Sequence, residues 1–551
     1  MDISATPAAD AKSRERLVIG ASSLGTMFEW YDFFLYGALA SYIARHFFSG
    51  VNETTGFIFA LAAFAAGFIV RPLGALLFGR VGDVVGRKNT FLLTMALMGV
   101  STFVVGLLPG YAEIGIAAPI LLIVLRLMQG LAIGGEYGGA AIYVAEHSPA
   151  DKRGFQTSFI QTTAVLGLIL SLVVIMAIRT LMTPEVFGEW GWRIPFLVSI
   201  FLLAISLWIR LKLNESPVFQ KMKAESATSS APFAEAFGNW ANLKLVLAAL
   251  FGVVAGQAVS FYASTFYMLF FLERVLKVDG FTANMIVLMA LMIGGPFYVF
   301  FGWLSDRIGR KPVIMAGLVI AALTAFPVFH ALSAAANPAL AAAQKATPVI
   351  VAADGAGCSL QFDPVGRNKF DRSACDIAKA YLTRAGVSYE NQPLAAGAEI
   401  CIGDRVIAAP DPSALDGEAR AAAIASFGDE VSAALKSAGY PDKVDPERMN
   451  KPLMVALIAF FVMVQTMSYG PLAAMLVELF PARIRYTSMS LPYHVGNGWF
   501  GGFLPTTAFA IVAATGDAFA GLWYPVIVMA GSFVIGMAFL PETRGRSVEH
   551  A

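Results

Sequence analysis

Gly79-Arg-Val-Gly-Asp83-Val-Val-Gly86-Arg87-Lys88 and Gly302-Trp-Leu-Ser-Asp306-Arg-Ile-Gly309-Arg310-Lys311 are one pattern written twice, 223 residues apart. A second pair, Glu146-His-Ser-Pro-Ala-Asp-Lys-Arg153 and Glu478-Leu-Phe-Pro-Ala-Arg-Ile-Arg485, recurs at an offset of 332. Two copies of one pattern mean two equivalent halves. The offset of 332 exceeds that of 223 by 109 residues, so about that much extra chain lies between Lys311 and Glu478.

Composition names the solvent of the halves. Of 551 residues, 57% are hydrophobic and only 14% charged, with a mean hydropathy of +0.67. Soluble domains carry about a quarter charged residues, so the lipid bilayer is the expected surroundings. The net charge of +1 points to no partner, and no basic stripe with interleaved aromatics suggests nucleic acid. The apolar run after Lys12, Arg14 and Arg16 is longer than a cleaved signal core and reads as a retained first helix.

A span needs roughly 20 apolar residues to cross about 30 Å of hydrocarbon. That length predicts helices near 18–44, 55–79, 89–109, 115–145, 155–179 and 191–213. The second half gives 243–273, 282–303, 312–334, 451–477, 487–514 and 518–540. The chain divides into a tail (1–17), an N-terminal half (18–213), a linker (214–242) and the first three helices of the second half (243–334). The insertion (335–448), the last three helices (449–540) and a C-terminal tail (541–551) follow. With the N-terminus in the cytoplasm, the lysine- and arginine-rich loops, the doubled motif among them, all fall inside. Both termini are then cytoplasmic, in the inner or plasma membrane.

The insertion has its own character. Residues 335–448 hold 11 lysines and arginines and 15 aspartates and glutamates, about twice the charge density of the rest, and all three cysteines. Helix parity places it outside. Its pattern predicts a small α/β module with helices around 374–385 and 413–438 and strands near 398–408. An oxidising compartment permits a disulfide, and nearness in sequence suggests Cys358–Cys375. A zinc site would be the sharper use of the cysteines, but the segment has no histidine. A folded lid or docking domain without chemistry is the expectation.

The doubled loop resembles the cytoplasmic motif of major facilitator transporters, whose fold is two six-helix halves. The resemblance implies that Gly79, Asp83, Gly86, Arg87 and Lys88, with Gly302, Asp306, Gly309, Arg310 and Lys311, latch one alternating-access state. Glu146, Arg153, Glu478 and Arg485 belong to the same gate. Within the superfamily, Phe28-Glu29-Trp30-Tyr31-Asp32-Phe33-Phe34-Leu35-Tyr36-Gly37 looks like the first helix of the metabolite:proton symporters. Arg126-x2-Gln129-Gly130 through Gly134-Gly135-Glu136, Tyr143-x2-Glu146 and Arg153-Gly154 are similar to that group, and Pro541-Glu542-Thr543-Arg544-Gly545 to the superfamily's usual ending. Such proteins carry osmolytes such as proline and betaine, or carboxylates such as 2-oxoglutarate, citrate and shikimate. The insertion departs from the pattern, and no long charged coiled-coil tail follows Arg546, which argues against an osmosensor.

Ionisable groups at membrane depth cost at least about 2.5 kcal/mol each and are functional candidates. Glu29 and Asp32, three apart, share a face of the first helix with Tyr36; Arg126 and Glu136 lie in the fourth. Either Glu29 or Asp32 is expected to carry the proton with Arg126 as switch partner; a permanent salt bridge between the two helices is the alternative. Arg71, before Pro72, is read as snorkelling to the cytoplasmic interface. The second half has almost no charge at depth. Its polar groups Gln257, Tyr262, Gln465, Tyr469, His494 and Asn497, with Gln161 and Tyr36 of the first half, are the substrate-contact candidates or else packing glue between helices.

The function expected is therefore proton-coupled symport of a small polar metabolite, an organic acid, by a monomer needing no cofactor and no metal. Export of small molecules and uptake of a zwitterionic osmolyte are the alternatives. An enzyme or sensor merely anchored by its helices would not need twelve spans with buried charges. A nucleotide loop for ATP-driven transport is absent from the sequence.

Overall fold

The computed structural model describes residues 8–49, 63, 66–211, 217–225, 229, 231–359, 370–415, 417–441 and 444–547. Residues 55–62, 64 and 65 of the expected second helix, 212 and 213 at the end of the N-terminal half, and residues 360–369 of the insertion lie outside it. The N-terminal half contains α1 (Ala8–Ala38), α2 (Arg71–Val84), α3 (Arg87–Leu107), α4 (Ala117–His147), α5 (Arg153–Thr180) and α6 (Ile194–Leu211). In the second half α7 runs from Trp240 to Val275, alternating α-helical and π-helical turns. α8 is Gly280–Gly294 with Phe297–Ile308, and α9 is Arg310–Ala336. α10 is Lys451–Tyr469 with Leu472–Leu479, α11 is Arg485–Val495 with Gly496–Gly501 and Leu504–Thr515, and α12 is Trp523–Phe539. Nine helices among the described residues are long and apolar enough to cross a bilayer. The remaining spans fall short for evident reasons: α1 carries charges, α2 is described only in part, and α11 is interrupted at Gly502 and Phe503.

Two boundaries differ from the sequence expectation in ways that matter. The linker is not plain coil, because it folds into short helices Pro217–Ala224 and Pro232–Gly238. The doubled loop is itself largely helical, since α2 continues to Val84 and α8 to Ile308.

Within each half the helices pack in matching ways: α2 on α4 and α3 on α6, then α8 on α10 and α9 on α12. The halves meet along two seams, α2 against α11 and α5 against α8. Gly79 and Gly302, the first residues of the two motif copies, lie in these seams. A Cβ at Gly79 would stand 3.0 Å from the Thr487 Cα, and one at Gly302 would stand 2.6 Å from the Gly154 carbonyl oxygen. The motif's last glycines also match, Gly86 at φ 136° and Gly309 at φ 108°, both in left-handed territory that favours glycine. Sequence repetition is thus repetition of backbone shape.

The insertion is a four-stranded sheet in the order β2-β1-β3-β4, with β1 Val349–Ala353, β2 Tyr389–Pro393, β3 Ala398–Ile402 and β4 Arg405–Ala408. β1 and β2 run parallel, joined through helix Ala374–Ala385; the other pairings are antiparallel. Helices Pro338–Ala346 and Gly417–Ser437 cover it, and Val351, Leu382, Ile400 and Val431 are wholly buried in its own core. Cys358 and Cys375 form a disulfide and Cys401 is free. The edge strand β2 docks on the end of α11: Tyr389 N donates to the Gly516 carbonyl at 2.8 Å and Asn391 Nδ2 to that of Thr515 at 2.6 Å. A cavity of about 630 Å³, lined by Phe270, Tyr389 and Phe509 among others, lies at this junction.

Candidate functional site

The end of the molecule bearing the doubled loop is closed by a network repeated across the seams. The Asp83 carboxylate accepts from Tyr486 N (3.2 Å), Thr487 N (3.0 Å) and Thr487 Oγ1 (2.8 Å), capping the start of α11. The Asp306 carboxylate accepts from Gly154 N (2.9 Å) and Phe155 N (2.7 Å), capping the start of α5. Each acid therefore sits at the positive end of a helix in the opposite half, where carboxylates are favoured. Glu146 pairs with Arg485 at 2.9 Å and Glu478 with Arg153 at 2.8 Å, all four buried.

The last lysines of the two motif copies also make matching contacts. Lys88 Nζ donates to the Leu211 carbonyl at 3.2 Å and Lys311 Nζ to those of Met537 (2.9 Å) and Leu540 (2.8 Å), each at the end of its half's last helix, while Arg310 is buried between Asp306 (2.6 Å) and Glu478 (3.2 Å). The Arg87 side chain is outside the described residues. The C-terminal segment completes the clasp. Glu542 accepts from the backbone of Arg310 (2.9 Å) and Lys311 (3.0 Å), and Thr543 Oγ1 donates to Glu478 at 2.9 Å. The second half thus does hold buried charge, but at this end rather than at the centre.

Deeper in the N-terminal half, Arg126, Glu29, Asp32 and Glu136 are all buried, but they do not form one ion cluster. Arg126 Nη1 donates to Gln129 at 2.6 Å, Gln129 Nε2 donates to Thr102 Oγ1 at 2.9 Å, and Thr102 Oγ1 donates to the Met98 carbonyl at 3.0 Å. The chain from the expected switch arginine therefore runs through neutral side chains to the backbone. Among the described residues no ion pair joins Arg126 to Glu29, Asp32 or Glu136. Glu136 lies in the glycine-rich stretch of α4 but two residues on from Gly134, and so away from the face on which Gly130 and Gly134 meet the backbone of Gly67 and Arg71. Tyr36 is with Arg126, its ring 4.3 Å from the guanidinium carbon, and not with the other substrate candidates.

Those others gather where the halves meet. Gln161 Nε2 donates to the Tyr137 hydroxyl at 2.6 Å, and the Tyr137 ring stacks on Tyr493 of α11 at 3.4 Å. The Tyr493 and Tyr469 hydroxyls are 2.6 Å apart. Tyr298 donates to Gln465 at 3.1 Å, and Asn497 to Gln257 at 3.5 Å. The Tyr262 ring lies edge-on to Phe68, 6.2 Å between centres, beside Arg71. His494 is wholly buried beside Tyr493. Arg71 corrects the sequence reading. It does not snorkel; it is 2% exposed, among Phe33, Phe68 and Trp30, because α2 runs thirteen residues beyond it to Val84. Arg71, Tyr137, Tyr493, Thr102 and Tyr298 were not among the expected site residues. A lone arginine inside an apolar run was the only available signal.

Two helical halves clasped at one end around a buried polar layer define a major facilitator transporter. Residues 17–235 and 427–551 match the family described as sugar (and other) transporter. The chain is 38% identical over 330 residues to the shikimate transporter of Escherichia coli strain K12, covering 58% of this chain and 74% of that one. It is 39% identical over 325 residues to a proline/betaine transporter of Salmonella typhimurium, covering 57% of this chain. The match spans 64% of that relative's length. A solved structure, the proton:xylose symporter XylE bound to 6-bromo-6-deoxy-D-glucose, aligns over 98% of both chains with a TM-score of 0.63 at 16% identity. The chain belongs to the sugar (and other) transporter family of the major facilitator superfamily. Nine of its described helices are long and apolar enough to cross a membrane, and the relatives named here are transporters, not enzymes.

Proposed function

We propose that the chain is a monomeric proton-coupled symporter that takes up a small organic acid by alternating access in the cell inner membrane. The observation that carries this is that Glu29 and Asp32 are buried inside one half, together with the hydrogen-bonded Arg126, Gln129 and Thr102, while the substrate candidates lie between the halves. Proton site and substrate layer are adjacent but separate, as coupling requires. Named relatives include a shikimate transporter and an alpha-ketoglutarate permease of E. coli, the latter 36% identical over 329 residues. The doubled loop and both termini face the cytoplasm in this reading and the insertion lies outside, because Arg80, Lys88, Lys152, Arg307, Lys311, Arg483 and Arg544 crowd the clasped end.

Proteoliposomes with an acidic exterior test it. Labelled 2-oxoglutarate or shikimate should accumulate, and a protonophore should abolish accumulation while leaving equilibration. Accumulation unaffected by the protonophore removes proton coupling; outward-only movement favours export. A second reading, uptake of a zwitterionic osmolyte, has the proline/betaine relatives in its favour. Accumulation of proline or betaine in place of the organic acids would select it.

A further inference from the structure

We propose that Arg71 is the anchor for a carboxylate group of the transported molecule, gripped between the halves. This rests on the transport reading and adds which chemical group the site requires. α2 and α11 run side by side with Asp83 at Thr487 and Phe68 at Gly498, which brings Arg71 level with His494. Arg71 lies twelve residues before Asp83, about 18 Å from the clasped end at 1.5 Å per residue, near mid-bilayer.

Its surroundings do not neutralise it. The guanidinium carbon is 4.4 Å from the Phe68 ring centre, 4.6 Å from that of Phe33 and 6.0 Å from that of Trp30. Among the described residues it has no carboxylate partner, and its Nε and Nη2 make no hydrogen bond. Ring faces attract a cation but leave N–H groups aimed at nothing. A buried guanidinium without an anion is strongly disfavoured, so a purely structural role would have called for an acidic neighbour. The planar fork instead matches a carboxylate bidentately.

The opposite wall supports the same ligand. Tyr262, Tyr469, Tyr493 and His494, all of the second half, lie within electrostatic reach of Arg71. Gln257 Nε2 and Gln465 Nε2, the first hydrogen-bonded to Asn497 through its other atom and the second a turn from Tyr469, have no acceptor. With the two ring nitrogens of His494, which offer at least one more donor, the vacant groups on both walls are mainly N–H donors, which calls for an acceptor-rich ligand. An anion bridging Arg71 and those amides would hold the halves together, whereas an uncharged polyol would leave the guanidinium unpaired.

The test is equilibrium binding by the purified full chain in nanodiscs. The probes are 2-oxoglutarate, shikimate, proline and glycine betaine, with the methyl ester of each acid that binds, choline for betaine, and D-xylose. Wild type should bind at least one carboxylate and prefer it about 100-fold to its ester, choline or xylose. Arg71→Gln should lower carboxylate affinity about 100-fold and leave ester affinity within about twofold; Arg71→Lys should fall between. The acids and the zwitterions separate the two carboxylate sources. Wild type that binds ester and acid equally, that binds none of the carboxylates, or that keeps its acid affinity in Arg71→Gln overturns the proposal. The wild-type ester comparison decides it even if the variants do not fold. Carboxylate binding without any transport would instead overturn the transport reading and leave Arg71 as the anchor.

Discussion

Asp83 and Asp306 perform one act on opposite halves, each capping the helix that begins the other half's fifth span. A charged cap is worth about 1–3 kcal/mol, more than a neutral one. Asp83→Asn keeps the shape and loses the charge, so turnover should fall about tenfold for every substrate while affinity changes less than about twofold. Initial-rate transport beside equilibrium binding checks this; loss of affinity for one substrate alone would make the loop a selectivity element. Asp32→Asn should separate coupling from movement. Counterflow of labelled against unlabelled substrate should persist within about threefold, while accumulation falls more than about tenfold, because the loaded carrier can reorient and the empty one has lost its proton step. Accumulation kept by both Asp32→Asn and Glu29→Gln would move the proton to Glu136 or His494. Asp83 and Asp306 were legible because a repeated motif names its own residues. Arg71 was not, because reading the motif as loop ended the helix at 79 when it runs on to Val84. That shift moved Arg71 a turn and more toward the surface.

Helix against helix, the fold depends on missing side chains. A Cβ on Gly134 of α4 would come within 2.3 Å of the Arg71 carbonyl oxygen, and one on Gly130 within 2.2 Å of that of Gly67. Small residues four apart let two membrane helices touch along their backbones. Gly134→Ala must push α2 outward, costing about 1–3 kcal/mol. The melting temperature in detergent should drop by several degrees, and carboxylate binding should weaken because Arg71 is carried along. Gly188, whose added Cβ would meet nothing within 4 Å, is the control that should melt like wild type. The apolar runs made the helices visible in sequence, but not their internal form. α7 changes to π turns at Leu250–Val254 and Ala263–Tyr267, on either side of the segment holding Gln257 and Tyr262. π turns recur at functional sites, and a helix apolar on every face offers no periodicity from which to read one. In the insertion the hairpin of β3 and β4 was legible, whereas β1 and β2 were not, because their partners are far away in sequence.

At the scale of the molecule, the insertion is joined to the second half alone, by the ends of α9 and α10 and by β2 on the end of α11. Replacing 338–449 with a short flexible linker should leave both halves folded, with transport kept within a fewfold; complete loss would make the insertion part of the gate. Its cysteines report its side. After reduction of intact cells, a membrane-impermeant maleimide should label Cys358 and Cys375, and labelling only after lysis would put the insertion inside. Without reduction only Cys401 should react, and slowly. Burial, with Glu399 nearby, pushes its thiol above the ordinary value, so the reactive thiolate is scarce at pH 7. Its rate should climb about tenfold per pH unit through pH 8; a flat profile would mean an unperturbed or inaccessible thiol. The docking of β2 also has a place in time. Tyr389 and Asn391 are synthesised more than a hundred residues before Thr515 and Gly516 exist to receive them. At about 5–20 residues per second, that strand's outer edge stands open for roughly 6–25 s on every nascent chain. Open edges recruit other strands, so during those seconds two ribosomes on one message hold the same unpaired strand side by side, and slow elongation downstream of Pro393 lengthens the interval in which neighbours could pair with each other.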